Sequence, residues 1–215
     1  AGHGLDYIQT ALNAGAVAVI HDGLQALPAL DVPAVQIYDL GHKLGELASR
    51  YYSAPSELMT IAGVAGNNGK ASVAHYLAQS WQRVYGNAGV AGTPGDSLPI
   101  TPGAFEVQQV LADCANSGVE HLAMELSSEA LKQRFVETVQ FDAAILTKLS
   151  HNSPDRHDHA FAARYLFTEH APSFAIVNHD DSHGRKLYGQ LSSGMQMLSF
   201  GLEKGAELRA EIQSM

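Results

Sequence analysis

The sequence predicts an α/β fold: a mostly parallel sheet with helices on both faces, joined to a partial small α/β unit on its N-terminal side. Three observations predict it. Short apolar runs alternate with segments of helical period of about 10 residues, the pattern of a parallel sheet covered by helices. Glycine and proline separate these segments. Hydrophobic residues make up 46% of the 215, which suffices for a substantial core and argues against wholesale disorder.

The small first unit is predicted over residues 1–57. Its apolar runs and helical spacings indicate a helix, two short strands and a second helix, at 6–13, 16–20, 35–38 and 41–52. Residues 53–57 (SAPSE) are polar and contain a proline, so they are the predicted linker. The main unit is therefore predicted to cover residues 58–215.

The main unit shows the strand and helix patterns in alternation. Apolar runs predict strands at 60–65, 121–126, 143–149, 174–178 and 195–200. Helical spacing predicts helices at 71–84, 105–115, 128–135, 159–169 and 182–191. Ligands of parallel sheets bind at the carboxyl ends of the strands. The turns that follow four of these strands, after residues 65, 126, 149 and 178, are therefore the candidate site.

Charge and composition exclude several classes of function. The 13 Lys and Arg residues are outnumbered by 22 Asp and Glu residues, and a net charge of −9 argues against a nucleic-acid partner. No apolar run approaches the roughly 20 residues of a membrane helix, and no secretory signal pattern is present. Cys114 is the single cysteine, so no internal disulfide forms. We expect a cytoplasmic protein with no membrane association.

A glycine-bearing turn between the first strand and helix of the main unit has the pattern of a phosphate-binding loop. It consists of Gly66, Asn67, Asn68, Gly69, Lys70, Ala71 and Ser72. Glycines let several backbone N–H groups converge on one anion, and a lysine at the helix start adds a positive charge. Nucleotide loops usually follow that lysine with Ser or Thr, whose hydroxyl binds Mg²⁺, whereas Ala71 has no hydroxyl. A purely structural strand-to-helix turn is the alternative.

Four motifs occur in an order and spacing that resemble the Mur ligase family, with the closest resemblance to its MurE type, the UDP-N-acetylmuramoyl-tripeptide synthetases. They are GVAGNNGKAS at 63–72, AMELSSEAL at 123–131, ILTKLS at 145–150 and IVNHDD at 176–181. The resemblance implies a central ATPase domain over 58–215 after part of a UDP-binding domain. It also implies that ATP phosphorylates the carboxylate of a UDP-MurNAc-peptide, after which an amino acid attacks, with Mg²⁺ offsetting phosphate charge. Too few residues follow the last predicted strand to form the family's C-terminal domain.

The resemblance also assigns individual residues. It gives Lys70 and Glu125 catalytic roles, with Glu125 as a ligand of Mg²⁺, and it gives the loop 66–72 to ATP. It places Asn178 and Asp181 near the adenine. It assigns four residues to the UDP-MurNAc-peptide: Thr101, Ser127, Ser128 and Arg134. Helix capping and turn formation are the alternative roles of the serines, Glu125 and the residues at 178–181.

Several positions depart from the family pattern close to the chemistry. Asn67 and Ala71 stand in place of loop threonines, Ser153 in place of a magnesium-binding histidine, and Arg164 in place of a carbamylated lysine. Phe135 replaces a substrate arginine, with Arg134 beside it. We therefore expect impaired catalysis or a pseudoenzyme. The alternative is a non-catalytic nucleotide or UDP-sugar-peptide binding module, or a protein-interaction module with a protein partner.

A histidine-rich segment, HNSPDRHDH at 151–159, offers a second hypothesis. Imidazole and carboxylate groups at close spacing bind transition metals, so His157 is a candidate metal ligand. A solvated polar loop without metal is the alternative.

Overall fold

The computed structural model describes residues 4–92, 103–149, 156–191 and 194–213, and at 156–158 it describes the backbone alone. Contacts divide the chain into two compact units, Ala1–Leu44 and Gly45–Met215. None of the described helices is long and apolar enough to cross a membrane.

The first unit is small. A 3₁₀-helix at Gly4–Tyr7 leads into α1 at Ile8–Asn13. Two three-residue strands, β1 at Val19–His21 and β2 at Ala34–Gln36, pair in parallel. The helix agrees with the predicted 6–13, whereas each strand covers only part of its predicted apolar run.

The second unit contains most of the regular structure. The chain enters it within α2, Leu40–Tyr51, and continues through a 3₁₀-helix at Pro55–Leu58. Its strands are β3 Thr60–Ala65, β4 Ala88–Gly92, β5 His121–Glu125, β6 Ala143–Leu146, β7 Phe174–Asn178, β8 Gln196–Gly201 and β9 Leu208–Arg209. Its further helices are α3 Lys70–Val84, α4 Ala104–Asn116, α5 Ser128–Lys132, α6 Arg156–Thr168 and α7 Ser182–Tyr188.

These seven strands form one sheet in the order β4-β5-β3-β6-β7-β8-β9, with every pair parallel. β3 lies between β5 and β6, and its sequence TIAGVA is buried from its second residue to its last. Parallel strands buried on both faces have such continuous apolar runs. The carboxyl ends of β3, β5, β6 and β7 therefore lie side by side at one edge.

Helices cover both faces of this sheet. On one face α3 packs Ala74 and Ala78 against Ala62 and Val64 of β3. Trp81 extends this contact, with its ring 5.8 Å from that of His121. The opposite face carries the larger core, which buries side chains of α4, α6 and α7. The predicted α/β architecture is confirmed.

The contacts assign residues 45–57 to the second unit, whereas the sequence predicted a boundary after residue 57. Gly45 and Ala48 are buried, and the Thr138 hydroxyl donates to the Gly45 carbonyl at 3.2 Å. The side-chain amide of Gln140 likewise donates to Glu57 at 3.4 Å. The amphipathic pattern of the helix showed which face is buried but not which unit buries it.

Two short strands were missed by the sequence prediction, and three elements end earlier than predicted. The strand predicted at 143–149 ends at Leu146, and the helix predicted at 182–191 ends at Tyr188. β4 has the sequence AGVAG, whose small residues carry little strand propensity, and β9 has only two residues. α5 ends at Lys132 rather than near Phe135, and Arg134 has a φ of +58°.

Candidate functional site

The glycine-bearing turn lies at the carboxyl end of β3 and leads directly into α3. Gly66 has a φ of +136°, and a Cβ atom there would lie 2.2 Å from the Thr147 hydroxyl oxygen. Gly69 has a φ of +84° and caps α3. Both backbone conformations favour glycine, so the local geometry explains both glycines in the pattern.

The segment after β6 holds this loop in place through hydrogen bonds. The Thr147 hydroxyl is directed at the Asn68 carbonyl at 2.8 Å and lies 3.2 Å from that of Ala65. The backbone N–H of Asn67 donates to the Lys148 carbonyl at 2.7 Å. The loop is therefore held by the Thr147 hydroxyl and the Lys148 carbonyl, just beyond the end of β6, and the Lys148 side chain is exposed beside it.

Lys70 and Glu125 meet at the start of α3. The ammonium of Lys70 lies 3.6 Å from a Glu125 carboxylate oxygen, and these side chains are 13% and 27% exposed. Glu125 is the last residue of β5, next to β3 in the sheet. The structure thus brings together the two residues predicted to be catalytic, while Ala71 and Ser72 are exposed in the first turn of the helix.

Asp181 and Asn178, predicted near the adenine, are both engaged by the protein itself. Asp181 is buried, and its carboxylate accepts from the N–H groups of His183 and Gly184, which caps α7. Its second oxygen accepts from the Leu149 N–H at 2.9 Å. The Asn178 side chain accepts from the backbone N–H of Asp180 at 2.9 Å.

A cavity of about 460 Å³ lies at the ends of β7 and β8. Its lining is mostly apolar and includes Asn178, Asp180, Phe200, Leu202 and Leu208. The Asp180 carboxylate accepts from the N–H groups of Glu203 and Leu202, and these bonds hold the pKa of Asp180 below its usual value. The cavity is lined from β7 to β9, two to four strands from β3, so at about 4.8 Å per strand it lies about 10–20 Å from the loop along the edge.

The residues predicted to contact the peptide substrate fall into different settings. Ser127 caps α5 by accepting from the Ala130 N–H at 3.0 Å, whereas the Ser128 hydroxyl contacts the His159 imidazole. Arg134 lies 3.4 Å from Glu137 and stacks over the Tyr165 ring at 5.7 Å.

Three further positions bear on the sequence predictions. Thr101 and Ser153 lie outside the described residues, and at His157 the structure describes only the helical backbone of α6. Arg164 is exposed and lines a cavity of about 230 Å³ between α6 and α7.

Metal ligands are sparse in the described part of the chain, which holds no group of three or more His, Cys, Asp or Glu side chains placed to bind a metal. Glu125 supplies one carboxylate, already facing Lys70, and Ala71 supplies no oxygen. Mg²⁺ commonly binds through one or two carboxylates together with nucleotide phosphates. The described donors therefore fit one Mg²⁺ ion carried by phosphates, and they do not fit a second ion held by the protein.

Thr147, the buried role of Asp181 and His159 were missed by sequence reasoning. A polar threonine and a polar aspartate, each adjoining an apolar run, were the available signals. Their contacts with Ala65, Leu149 and Ser128 span 82, 32 and 31 positions along the chain, so only the fold identifies them.

Comparison with known proteins gives consistent matches. The profile of the Mur ligase middle domain matches residues 64–214. The UDP-N-acetylmuramoyl-L-alanyl-D-glutamate–2,6-diaminopimelate ligase of Alkalilimnicola ehrlichii is 37% identical over 222 residues, which covers 93% of this chain and 45% of the relative. The ligase of the same name from Coxiella burnetii is 36% identical over 211 residues, which covers 92% of this chain and 43% of the relative.

A solved structure of a ligase with this name superimposes with a TM-score of 0.76 at 25% identity, covering 94% of this chain and 44% of that one. The chain spans less than half the length of the relatives it matches.

Proposed function

The chain belongs to the Mur ligase family, as its motifs predicted, and from that premise we propose that it binds ATP at the loop 66–69 and a UDP-MurNAc-peptide near α5, with impaired ligase chemistry. The relatives' names describe a ligase joining UDP-N-acetylmuramoyl-L-alanyl-D-glutamate to 2,6-diaminopimelate. The main support for this proposal is the loop, which keeps the geometry and the lysine of a phosphate site but has Ala71 in place of a residue with a hydroxyl.

Nucleotide binding is supported by the arrangement at the carboxyl edge. The loop is braced by Thr147 and presents Lys70 at the start of a 15-residue helix, where backbone N–H groups and the helix dipole favour anions. The apolar cavity at the ends of β7 and β8 lies at a distance that a nucleoside triphosphate can bridge. We assign the phosphates to the loop and the base to this cavity.

Impairment is supported by the donor set. Ala71 and Glu125 together supply one metal-binding side chain where the family pattern has two. Arg164 carries a guanidinium group and cannot form the lysine carbamate that the family places at that position. When bound, Mg²⁺ neutralises phosphate charge during transfer, and the described part of the chain holds few groups to fix it.

Calorimetric titration with ADP and with a non-hydrolysable ATP analogue, with Mg²⁺ or with EDTA, tests the proposal. We expect binding by the wild type and loss of at least tenfold in affinity in Lys70→Ala, with Lys43→Ala as a matched surface control. The proposal predicts little phosphate release by the full-length protein with UDP-MurNAc-L-Ala-D-Glu and diaminopimelate, and a gain in Ala71→Thr.

Two outcomes would contradict it. Phosphate release at a rate typical of enzymes, on the order of 1 s⁻¹ or faster, would show an intact enzyme. Absence of nucleotide binding would favour the alternative, a protein-interaction module that keeps the fold without the nucleotide.

A further inference from the structure

Ser128 and His159 form a polar contact between α5 and α6 at the carboxyl edge of the sheet. Ser128 is the first residue of α5, three residues after the end of β5, and its hydroxyl contacts Nδ1 of His159 in the first turn of α6. Both side chains are half-buried, so the contact reaches the surface. Neither the nucleotide loop nor the bracing network uses this pair.

The neighbouring polar groups have other partners. The Ser127 hydroxyl caps α5, and the Arg134 guanidinium faces Glu137 and the Tyr165 ring. Of the three described residues predicted to contact the peptide, Ser128 alone has a hydroxyl that projects from the start of α5 toward a second helix. A ligand oxygen beside Ser128 would accept a hydrogen bond from the serine hydroxyl only where that hydrogen points away from His159.

We propose that His159 is a positioning residue for the UDP-sugar-peptide, and that its Nδ1–H donates to Ser128 Oγ so that the serine O–H points at a carboxylate or carbonyl oxygen of the ligand. The inference rests on the proposed substrate. The opposite tautomer would consume the serine hydrogen on His159 and leave Ser128 only as an acceptor. A peptide ending in D-glutamate presents carboxylate oxygens, which accept hydrogen bonds and cannot donate them when ionised.

The alternative is that the pair only tethers α5 to α6. A tether would affect thermal stability and every ligand alike. A positioning role would affect binding of the peptide ligand and spare binding of the nucleotide, because Thr147 and Lys148 hold the nucleotide loop without either residue.

Calorimetry on the full-length protein with UDP-MurNAc-L-Ala-D-Glu, alongside ADP as an internal control, separates these cases. Ser128→Ala and His159→Phe should each lower the affinity for the sugar-peptide about tenfold, which corresponds to the loss of one net hydrogen bond to a charged group. The double variant should be no weaker than either single variant, since both remove one interaction. ADP affinity should change less than twofold, and Ser80→Ala should change neither.

Two conservative variants test the direction of the hydrogen bond. His159→Asn offers an N–H donor close to the position of Nδ1 and should stay within about threefold of wild type, whereas His159→Asp offers only acceptors and should lose as much as His159→Phe.

Each contrary result has a distinct meaning. Unchanged sugar-peptide affinity in His159→Phe, additive losses in the double variant, or rescue by Asp rather than Asn would overturn the inference while leaving the proposed function intact. Failure of the wild-type protein to bind the sugar-peptide, with ADP still bound, would overturn the proposed substrate and this inference with it.

Discussion

The carboxylate of Asp181, at the N-terminus of α7, accepts a hydrogen bond from the backbone N–H of Leu149 at 2.9 Å. Leu149 follows Thr147 and Lys148, the two residues that hold the phosphate loop. A buried carboxylate between two strand ends therefore fixes the segment on which the loop rests. Asp181 therefore acts on the position of the loop through three backbone donors.

Replacing Asp181 should both destabilise the second unit and weaken nucleotide binding. Asp181→Ala leaves three backbone N–H groups without their acceptor, two of them at a helix cap, and we expect a loss of about 2–4 kcal/mol in the free energy of unfolding. Urea unfolding followed by circular dichroism measures it. Asp113→Ala, an exposed aspartate on α4, is the matched control, and equal midpoints for the two variants would refute the bracing role.

Alanine at Gly66 should be far more disruptive than alanine at Gly69. Gly69→Ala should lower the free energy of unfolding by about 1–2 kcal/mol, the cost of a left-handed backbone at a residue with a side chain. No steric cost is added, because no atom lies within 4 Å of the new Cβ. Gly66→Ala adds a collision with Thr147, and we expect about 3 kcal/mol or more. Thermal melting and ADP titration of both variants measure the difference, and comparable losses would argue against the observed contact.

Removing the charge of Glu125 should have opposite effects with and without metal. In EDTA, Glu125→Gln frees Lys70 from a partly exposed ion pair worth about 0.5–1 kcal/mol, so ADP should bind about 2–5 times more tightly. With Mg²⁺ the same variant loses the carboxylate proposed to hold the ion and should bind no better than wild type. Calorimetry under both conditions tests this, and a gain of equal size with Mg²⁺ would exclude Glu125 as its ligand.

Stability should fall as the pH drops below about 6.5, and His170 should account for part of the fall. Burial between the rings of Phe141 and Tyr165 lowers the pKa of His170, against smaller opposing effects of the Val139 carbonyl, Glu137 and Glu169. The unfolded histidine titrates near its ordinary value of about 6.5, so below that pH the unfolded state binds more protons and is favoured.

The variant His170→Gln should flatten this dependence. Its melting temperature should vary less than that of wild type between pH 7.5 and pH 5.5 (about one unit on each side of the ordinary value), whereas the exposed His75→Gln should follow wild type. If the melting temperatures of His170→Gln and wild type fall by the same amount with pH, His170 is not the cause of the pH dependence.

The sequence predicted the strand-helix alternation because buried parallel strands and amphipathic helices have distinct periods. The periodicity found β3 and α3, and hence the loop between them. It could not find β4, whose glycines and alanines lack strand propensity, or the pairing that sets β3 beside β5 and so brings Lys70 to Glu125.

Side-chain roles at the site were harder to predict than positions. The motif correctly indicated that Asp181 follows a strand end, but a sequence pattern does not show whether a carboxylate faces a ligand or backbone N–H groups. The same limit applies to His159, which the histidine-rich segment suggested as part of a metal site and which the structure places on Ser128. Contacts between residues 31 positions apart depend on how α5 and α6 pack.

Trp81 is the single tryptophan of the chain, and it is half-buried on α3, packed against the core between that helix and the sheet. Fluorescence excited selectively at tryptophan therefore reports the second unit alone, with no signal from residues 1–44. A urea titration followed by this emission and by circular dichroism gives one transition if the two units unfold together and separate transitions if they do not. Trp81 thus serves as an intrinsic fluorescence probe of the unit that contains the nucleotide loop.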